Sequence, residues 1–214
     1  MATLTINEII KELRNKQQIA VRECGFLSWG DKEKCKELFI EIFKQIDHTF
    51  YKFEYLPEYD EIVDWMTGTA DKGLMLMGDC GRGKSIILTG VIPVLMRMFN
   101  TSVKPVLAQD LGKLIYNDPL FNNVPPGMTY LDYFTQYAKN IIIDEVGTET
   151  MRNDYGEKVE AFNTIINSAE HYHKRLFIST NLTEEQILDR YGVRTVDRLS
   201  HLCRIVKFQG DSLR

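Results

Sequence analysis

The sequence predicts an α/β fold in which helices cover both faces of a parallel β-sheet. Short, continuously apolar strands alternate with helical stretches between residues 73 and 208. Strands buried on both faces are apolar throughout, whereas half-exposed strands alternate. The first strand runs directly into a glycine-rich segment, GDCGRGKS (78–85), and the third ends in two acids. Ligands of such folds bind at the carboxyl ends of the strands, where both segments are expected to lie.

Three helices are predicted before the first strand. The segment TINE (5–8) has the Thr-x-x-Glu pattern of a capping box and begins a run of apolar residues at helical spacing. A second helix is predicted over 32–50, and a short third helix after Pro57. We expect residues 1–54 to form an N-terminal helical segment, a candidate for partner binding, and residues 55–214 to form the α/β core.

Five strands are predicted in the core, with a helix after each of the first four. The strands are GLMLMG (73–78), KPVLAQ (104–109), NIIID (140–144), RLFIST (175–180) and CRIVKF (203–208). The helices are expected at about 84–99, 110–116 and 155–173, and from the capping box TEEQ (183–186) to Gly192. Pro93 lies inside the first of these helices and should bend it or remove a hydrogen bond.

Composition excludes several classes of protein. The net charge of −4 over 214 residues argues against a protein that coats nucleic acid with its whole surface. Four scattered cysteines without a C-x-x-C pair argue against a metal cluster and suit a reducing cytoplasm. The first residues lack the apolar region of a signal peptide, and the most apolar run, 86–99, is too short to span a membrane. We therefore expect a cytoplasmic protein without a membrane partner.

The segment GDCGRGKS matches G-x-x-x-x-G-K-[ST], the pattern of a phosphate-binding loop (P-loop). In such a loop, successive backbone N–H groups and the positive end of the next helix hold the phosphates. Lys84 is expected to reach the β- and γ-phosphates, and the Ser85 hydroxyl to bind Mg²⁺. A glycine turn that binds no ligand is disfavoured, because the motif follows a predicted strand and opens a helix. The predicted nucleotide-binding residues of the loop are Gly78, Asp79, Cys80, Gly81, Arg82, Gly83, Lys84 and Ser85.

Polar side chains end the third and fourth strands at the same sheet edge. Asp144 suits the Mg²⁺ shell, directly or through a water molecule, and Glu145 can orient or deprotonate an attacking water. Taken alone, the two acids also fit a strand followed by a polar turn. Asn181 can hold the same water or sense the γ-phosphate, and its alternative role is to turn the chain before TEEQ. The position of Asn181 on the strand after Asp144 favours the first role.

Two further patterns have both a functional and a structural interpretation. Arg190, Arg194 and Arg198 recur at spacings of four and lie on one helix face, which is either solvated or reaches a neighbouring subunit as an arginine finger. Aromatic residues from Tyr130 to Tyr137 have the spacing i, i+3, i+4, i+7. This spacing predicts a buried helix face rather than a surface that stacks on bases.

Together these motifs resemble the AAA+ ATPases of the DnaC/IstB type, which are bacterial and phage replicative helicase loaders and related transposition helper ATPases. The resemblance covers about residues 55–214. It rests on GDCGRGKS, IIIDEVG (141–147), NDYGEKVEAFNTIINSAEHYHKRLFISTNLT (153–183), RYGVRTVDRL (190–199) and the terminal DSLR. By this resemblance, Lys84 and Ser85 correspond to Walker A, Asp144 and Glu145 to Walker B, and Asn181 to sensor 1.

The resemblance also places arginines at the nucleotide. Arg198 best matches the arginine finger, with Arg194 next, and Arg214 falls at a sensor 2-like, nucleotide-binding position. It implies an αβα core with strand order 5-1-4-3-2 and a small or absent lid. It further implies Mg²⁺-dependent ATP hydrolysis, weak and stimulated by assembly or DNA, in a homo-oligomer with the arginine finger acting in trans. The implied partners are single-stranded DNA and a replicative helicase or another DNA-transaction protein.

The chain departs from the loader pattern in three respects, of which Pro93 in the helix after the P-loop is one. The N-terminal segment is short and lacks a zinc-ligand cysteine cluster, and residues 117–129 contain no Lys or Arg to contact DNA phosphates. The leading hypothesis is an ATP-hydrolysing DNA replication factor that loads or remodels a partner on single-stranded DNA. The alternatives are a transposition helper, a nucleotide-gated interaction module and a small-molecule kinase. The kinase would need a lid with catalytic arginines and an acceptor pocket, whereas the other two use the same residues as a loader.

Overall fold

A five-stranded, all-parallel sheet forms the centre of the computed structural model, which describes residues 5–16, 25–47, 53–69, 72–101, 103–114, 129–149 and 157–213. The strands are β1 (Gly73–Gly78), β2 (Pro105–Leu107), β3 (Asn140–Val146), β4 (Arg175–Thr180) and β5 (Cys203–Phe208). Neighbouring strands pair in the order β2-β3-β4-β1-β5, all in parallel. The predicted fold class and strand order are confirmed.

Helices lie between the strands and before the first of them. They are α1 (Ile6–Asn15), α2 (Lys32–Ile46), α3 (Tyr59–Thr67), α4 (Lys84–Ile86), α5 (Ile92–Arg97), α6 (Tyr130–Gln136), α7 (Glu157–His171), α8 (Glu184–Tyr191) and α9 (Val193–Leu202). Both predicted capping boxes are present, at Thr5 before α1 and at Thr183 before α8. After β2 the chain forms a 3₁₀ helix, Ala108–Leu114, earlier and tighter than the α-helix expected there. No helix in the described ranges is long and apolar enough to cross a bilayer.

The predicted irregularity at Pro93 takes the form of a π-helical turn, Ile87–Val91, between α4 and α5. The N–H of Ile92 donates to the carbonyl of Ile87, five residues back, instead of four. Pro93 therefore occupies the first turn of α5, directly after the π-helical turn. The helical segment after the P-loop continues past the proline without a break.

Apolar side chains fill both faces of the sheet. One face packs against α2, α3 and the helical segment after β1, and the other packs against α6 to α9. The ring of Phe43 in α2 contacts Tyr59 in α3, and Tyr59 contacts Phe208 in β5, at centroid separations of 5.7 and 6.2 Å. Helix α2 thus packs into the same core as the sheet. The domain boundary expected at residue 54 stays a prediction.

Two predicted apolar faces are exposed, that of α1 at all three of its isoleucines and that of α6 only in part. On α1, Ile6, Ile9 and Ile10 are 76%, 41% and 40% exposed, so the described part of the chain leaves this face uncovered. On α6, Phe134 is buried as expected, but Tyr137 is 60% exposed and stacks on Tyr133. The prediction of a wholly buried aromatic face is therefore wrong for Tyr137. Helix α6 ends at Gln136, so Tyr137 lies beyond its last turn.

Candidate nucleotide site

The P-loop between β1 and α4 has the backbone of a phosphate cradle. Gly81 and Gly83 have φ values of 76° and 83°, in the left-handed region that glycine adopts without strain. A Cβ at Gly81 would also lie 2.1 Å from the Ser212 hydroxyl, so a larger residue there would displace this side chain. Lys84 is buried, and its Nζ donates to the carbonyls of Gly78 and Asp79 at 2.8 and 2.7 Å. Its ammonium therefore lies within the loop.

A cleft of about 510 Å³ opens beside this loop, at the carboxyl edge of the sheet. This volume lies in the usual range for small-molecule sites. Glu145 and Asn181 line the cleft together with the P-loop residues Cys80, Gly81, Gly83, Lys84 and Ser85. The fold thus brings together residues that are far apart in the sequence and that were predicted as site residues from different motifs.

Asp144 connects β3 to the P-loop. Its carboxylate is buried, and Oδ1 accepts a hydrogen bond of 3.2 Å from the Ser85 hydroxyl. A hydroxyl and a carboxylate side by side are oxygen ligands of the kind that Mg²⁺ prefers. Their position next to the phosphate loop fits the metal expected with a nucleoside triphosphate.

Sequence reasoning missed Ser179, although this residue lines the cleft. Its buried hydroxyl donates to Oδ1 of Asp144 and accepts from the N–H of Glu145, at 2.9 Å. Within the strand RLFIST a serine is an unremarkable residue, and only the pairing of β3 with β4 places it beside both acids.

The segment after β5 packs on the P-loop. The N–H of Gly210 donates to the Asp79 carboxylate at 3.0 Å, and the N–H of Leu213 donates to the Gly81 carbonyl at 3.1 Å. Leu213 thereby forms an apolar part of the cleft wall, a role that the sequence did not indicate. Arg214, the sensor 2-like candidate, lies outside the described residues.

Arg82 links the P-loop to both α3 and this C-terminal segment. Its guanidinium donates to the Glu58 carboxylate at 2.8 Å and to the Asp211 carbonyl at 3.2 Å, and Glu58 also accepts from the N–H of Gln209. Burial alone would raise the pKa of Glu58, but backbone hydrogen bonds and Arg82 lower it overall. The Arg82 side chain is directed at these groups, and its part in nucleotide binding stays a prediction.

A second buried ion pair, also missed in the sequence, fixes the loop after β3. Glu149 is 4% exposed and accepts from the N–H of Gly147, the Arg190 guanidinium and the Tyr191 hydroxyl, at 3.0, 2.9 and 2.8 Å. Burial raises the pKa of Tyr191, and the neighbouring carboxylate raises it further. Arg190 therefore joins α8 to the loop that follows Glu145, and it does not share a solvated face with the other two arginines.

Arg194 and Arg198 lie on α9, outside the cleft lining found in the described residues. Arg194 is exposed, and its guanidinium has no ion pair or hydrogen bond with the described residues. Arg198 is 31% exposed and donates to Glu170 and Asn167 of α7. Neither arginine reaches the cleft of its own chain.

Known structures match this architecture, whereas no protein-family model and no curated protein matches the sequence. The DnaC helicase loader matches with a TM-score of 0.59 at 14% identity, over 78% of this chain and 98% of that one. DnaI matches with a TM-score of 0.50 at 18% identity, over 89% and 88% of the two chains. The replication initiator DnaA bound to AMPPCP and single-stranded DNA gives 0.51 at 13% identity, over 91% of this chain but 49% of that one.

The chain has the AAA+ fold. At these identities the likeness establishes the fold alone, and to that extent it confirms the resemblance drawn from the sequence. Within the AAA+ fold, the cleft of this chain lies at the carboxyl edge of β1, β3 and β4, beside the P-loop.

Proposed function

We propose that this protein is an ATP-hydrolysing DNA replication factor of the helicase-loader type. One observation carries the proposal: the P-loop, Glu145 and Asn181 line a single cleft, and Asp144 contacts Ser85 at its edge. These are a phosphate cradle, two Mg²⁺ ligands and two groups able to act on a water molecule, which together suffice for hydrolysis of a nucleoside triphosphate. The role of each of these residues is likewise proposed.

Binding is assigned to the P-loop. The Lys84 ammonium, which bonds to two loop carbonyls, would exchange these partners for phosphate oxygens, a stronger charge-assisted interaction. Ser85 and Asp144 would hold Mg²⁺, directly or, for Asp144, through water. When bound, the metal neutralises charge on the phosphate oxygens.

Hydrolysis is assigned to Glu145 and Asn181. The Glu145 carboxylate is exposed to the cleft, where it can accept a proton from a water molecule or orient it. The Asn181 amide offers both a donor and an acceptor, so it can fix the same water or sense the terminal phosphate. Glu145 lies on β3, and Asn181 directly follows β4, the neighbouring strand, so the sheet positions both groups.

The assignment to DNA draws on the similar structures, because they include a helicase loader and an initiator bound to single-stranded DNA. We propose single-stranded DNA and a replicative helicase, or another DNA-transaction protein, as partners. Residues 1–54 are the proposed partner-binding segment, and the exposed isoleucines of α1 offer an apolar contact surface there.

The test is ATP turnover by the full chain with Mg²⁺ and no added acceptor, with and without single-stranded DNA. We expect slow release of phosphate that single-stranded DNA accelerates, together with an ATP-dependent increase in particle mass. A small-molecule kinase requires an acceptor, so phosphate release without one excludes it. Absence of turnover under all these conditions, with ATP still bound, would instead favour the nucleotide-gated module.

An arginine finger acting in trans gives a separate prediction. We expect Arg198→Ala to retain ATP binding but to lose ATP-driven assembly and to hydrolyse about tenfold more slowly or worse, because one charged donor to the transition state is lost. The ion pair of Arg198 with Glu170 is partly exposed and costs only about 0–1 kcal/mol to release, so it does not hold the arginine in place. Phosphate release and nucleotide titrations measure the two effects.

Mixing variants distinguishes action in trans from action in cis. Arg198→Ala supplies an intact P-loop, and a Lys84→Ala chain supplies an intact Arg198, so equimolar mixtures should recover part of the lost turnover. Arg194→Ala is the matched comparison, since it removes the same charge one helical turn away. Unchanged turnover in Arg198→Ala would remove this residue from the site, and a loss confined to Arg194→Ala would transfer the role.

A further inference from the structure

The two acids of β3 lie in a β-bulge. Ile143 pairs with Ile178 and Val146 pairs with Thr180, so Asp144 and Glu145 together oppose the single residue Ser179. In a regular strand, consecutive side chains point to opposite faces. The bulge changes this direction locally, as bulges near active sites often do. Here it lets Glu145 line the cleft while Asp144 keeps its contact with Ser85.

The bulge requires an uncommon backbone conformation at Glu145. Its φ is 60°, in the left-handed region that side chains other than glycine adopt at a cost of about 1–3 kcal/mol. Such a conformation persists only where surrounding groups hold it. The buried Glu149 holds the loop that follows Glu145. The bulge itself needs a hydrogen-bonding partner at the opposite position on β4.

The Ser179 hydroxyl is that partner. The hydroxyl proton is directed at Asp144 Oδ1, and a lone pair of the same oxygen accepts from the Glu145 N–H. The side chain is 2% exposed, so water does not replace either bond readily. One hydroxyl therefore fixes the metal-side carboxylate and the backbone of the proposed base at the same time.

We propose that Ser179 is a positioning residue for hydrolysis, whose hydroxyl sets the Asp144 carboxylate for Mg²⁺ and holds the bulge that aims Glu145 at the attacking water. This inference rests on the proposed ATPase function. Without the hydroxyl, the Glu145 N–H keeps only its bond of 3.1 Å to Asp144, and Oδ1 of that carboxylate keeps only this N–H and the Ser85 hydroxyl as donors. The P-loop contacts of Lys84 do not involve Ser179, so nucleotide binding without metal is unaffected.

Thr180, the next residue, is a matched control. Its hydroxyl donates to the Val146 carbonyl at 2.6 Å and accepts from the N–H of Leu182 at 3.1 Å, and the residue is 1% exposed. Thr180→Val therefore removes a buried hydroxyl with one donated and one accepted bond, as Ser179→Ala does. Its partners are at the end of the bulge rather than at the acids.

The experiment compares wild type, Ser179→Ala, Ser179→Thr and Thr180→Val as full chains. We expect Ser179→Ala to lower kcat by about 10- to 100-fold, the usual effect of losing a group that orients a metal ligand, with KM for ATP raised only as far as the Mg²⁺ contribution to nucleotide affinity is lost. Half-maximal turnover should require more Mg²⁺. Ser179→Thr, which keeps the hydroxyl, should recover most of kcat, and Thr180→Val should lose no more activity than its loss of folded protein explains. Thermal unfolding measures that fraction.

Nucleotide affinity with Mg²⁺ and with EDTA gives a readout that does not depend on turnover. Wild type should bind a fluorescent ATP analogue more tightly with Mg²⁺, and Ser179→Ala should lose most of that gain while its affinity in EDTA is unchanged. Equal kcat and equal Mg²⁺ gain in wild type and Ser179→Ala would overturn the inference. A loss of kcat and of Mg²⁺ gain in Thr180→Val as large as that in Ser179→Ala would also overturn it. If wild type shows no turnover, the proposed ATPase function fails, and the Mg²⁺ gain alone decides the role of Ser179.

Discussion

Replacing Lys84 with alanine is expected to abolish measurable ATP binding. The residue is buried in the P-loop, and its ammonium already makes two hydrogen bonds there, at 2.8 and 2.7 Å. Transferred to phosphate oxygens, two charge-assisted bonds contribute about 1.5–3 kcal/mol each, so their loss weakens binding by a factor of about 100 or more. Titration with a fluorescent nucleotide in the presence of Mg²⁺ measures the change.

Lys207→Ala is the control for this variant. That lysine is exposed, pairs only with the exposed Glu184 among the described residues, and lies on β5 outside the cleft lining. Lys207→Ala removes the same positive charge as Lys84→Ala does. It should change ATP affinity by no more than about twofold, because it breaks only an exposed ion pair that contributes about 0–1 kcal/mol. ATP affinity retained in a folded Lys84→Ala protein would contradict the assignment of the P-loop, and with it every role assigned around the cleft.

The sequence was informative wherever a local pattern determines structure. Strands β1, β4 and β5 begin and end where they were predicted, because short, mostly apolar runs are typical of strands in a buried parallel sheet. Capping boxes predicted the starts of α1 and α8 for an equally local reason. Their side chains accept hydrogen bonds from backbone N–H groups that have no partner within the first turn of the helix. The glycine pattern of the P-loop likewise implies its left-handed backbone.

The contacts that the sequence did not reveal are long-range. Ser179 and Glu149 acquire their positions from strand pairing and helix packing, and nothing in the letters around them distinguishes them from ordinary strand and loop residues. The same holds for Leu213, which reaches the cleft only because the chain after β5 folds back over the P-loop.

The arginines show how one pattern conceals different environments. A spacing of four predicted one face for Arg190, Arg194 and Arg198, but the chain turns at Gly192 between α8 and α9. Arg190 therefore pairs with the buried Glu149, Arg194 is exposed, and Arg198 lies against α7. Spacing defines a common face only within one continuous helix.

Glu145→Gln is expected to separate ATP binding from ATP hydrolysis. Glutamine keeps the size of the side chain and its place in the bulge, but its amide cannot accept a proton from water at neutral pH. Loss of a general base lowers kcat by about 100-fold or more, while the P-loop contacts that bind ATP are untouched. Phosphate release under single-turnover conditions measures hydrolysis, and nucleotide titration together with particle mass measures binding and ATP-driven assembly.

Glu184→Gln is the control, because Glu184 is an exposed acid in the first turn of α8 that pairs with Lys207 on the surface. It should leave turnover and assembly unchanged. If Glu145→Gln and wild type instead show the same slow turnover and the same partner binding, the cleft binds ATP without catalysing its hydrolysis, and the protein is a nucleotide-gated interaction module. If the variant assembles with ATP but no longer disassembles, hydrolysis drives release. That outcome is expected because Glu145 lines the cleft as the proposed base, whereas the P-loop residues that would hold ATP are unchanged in the variant.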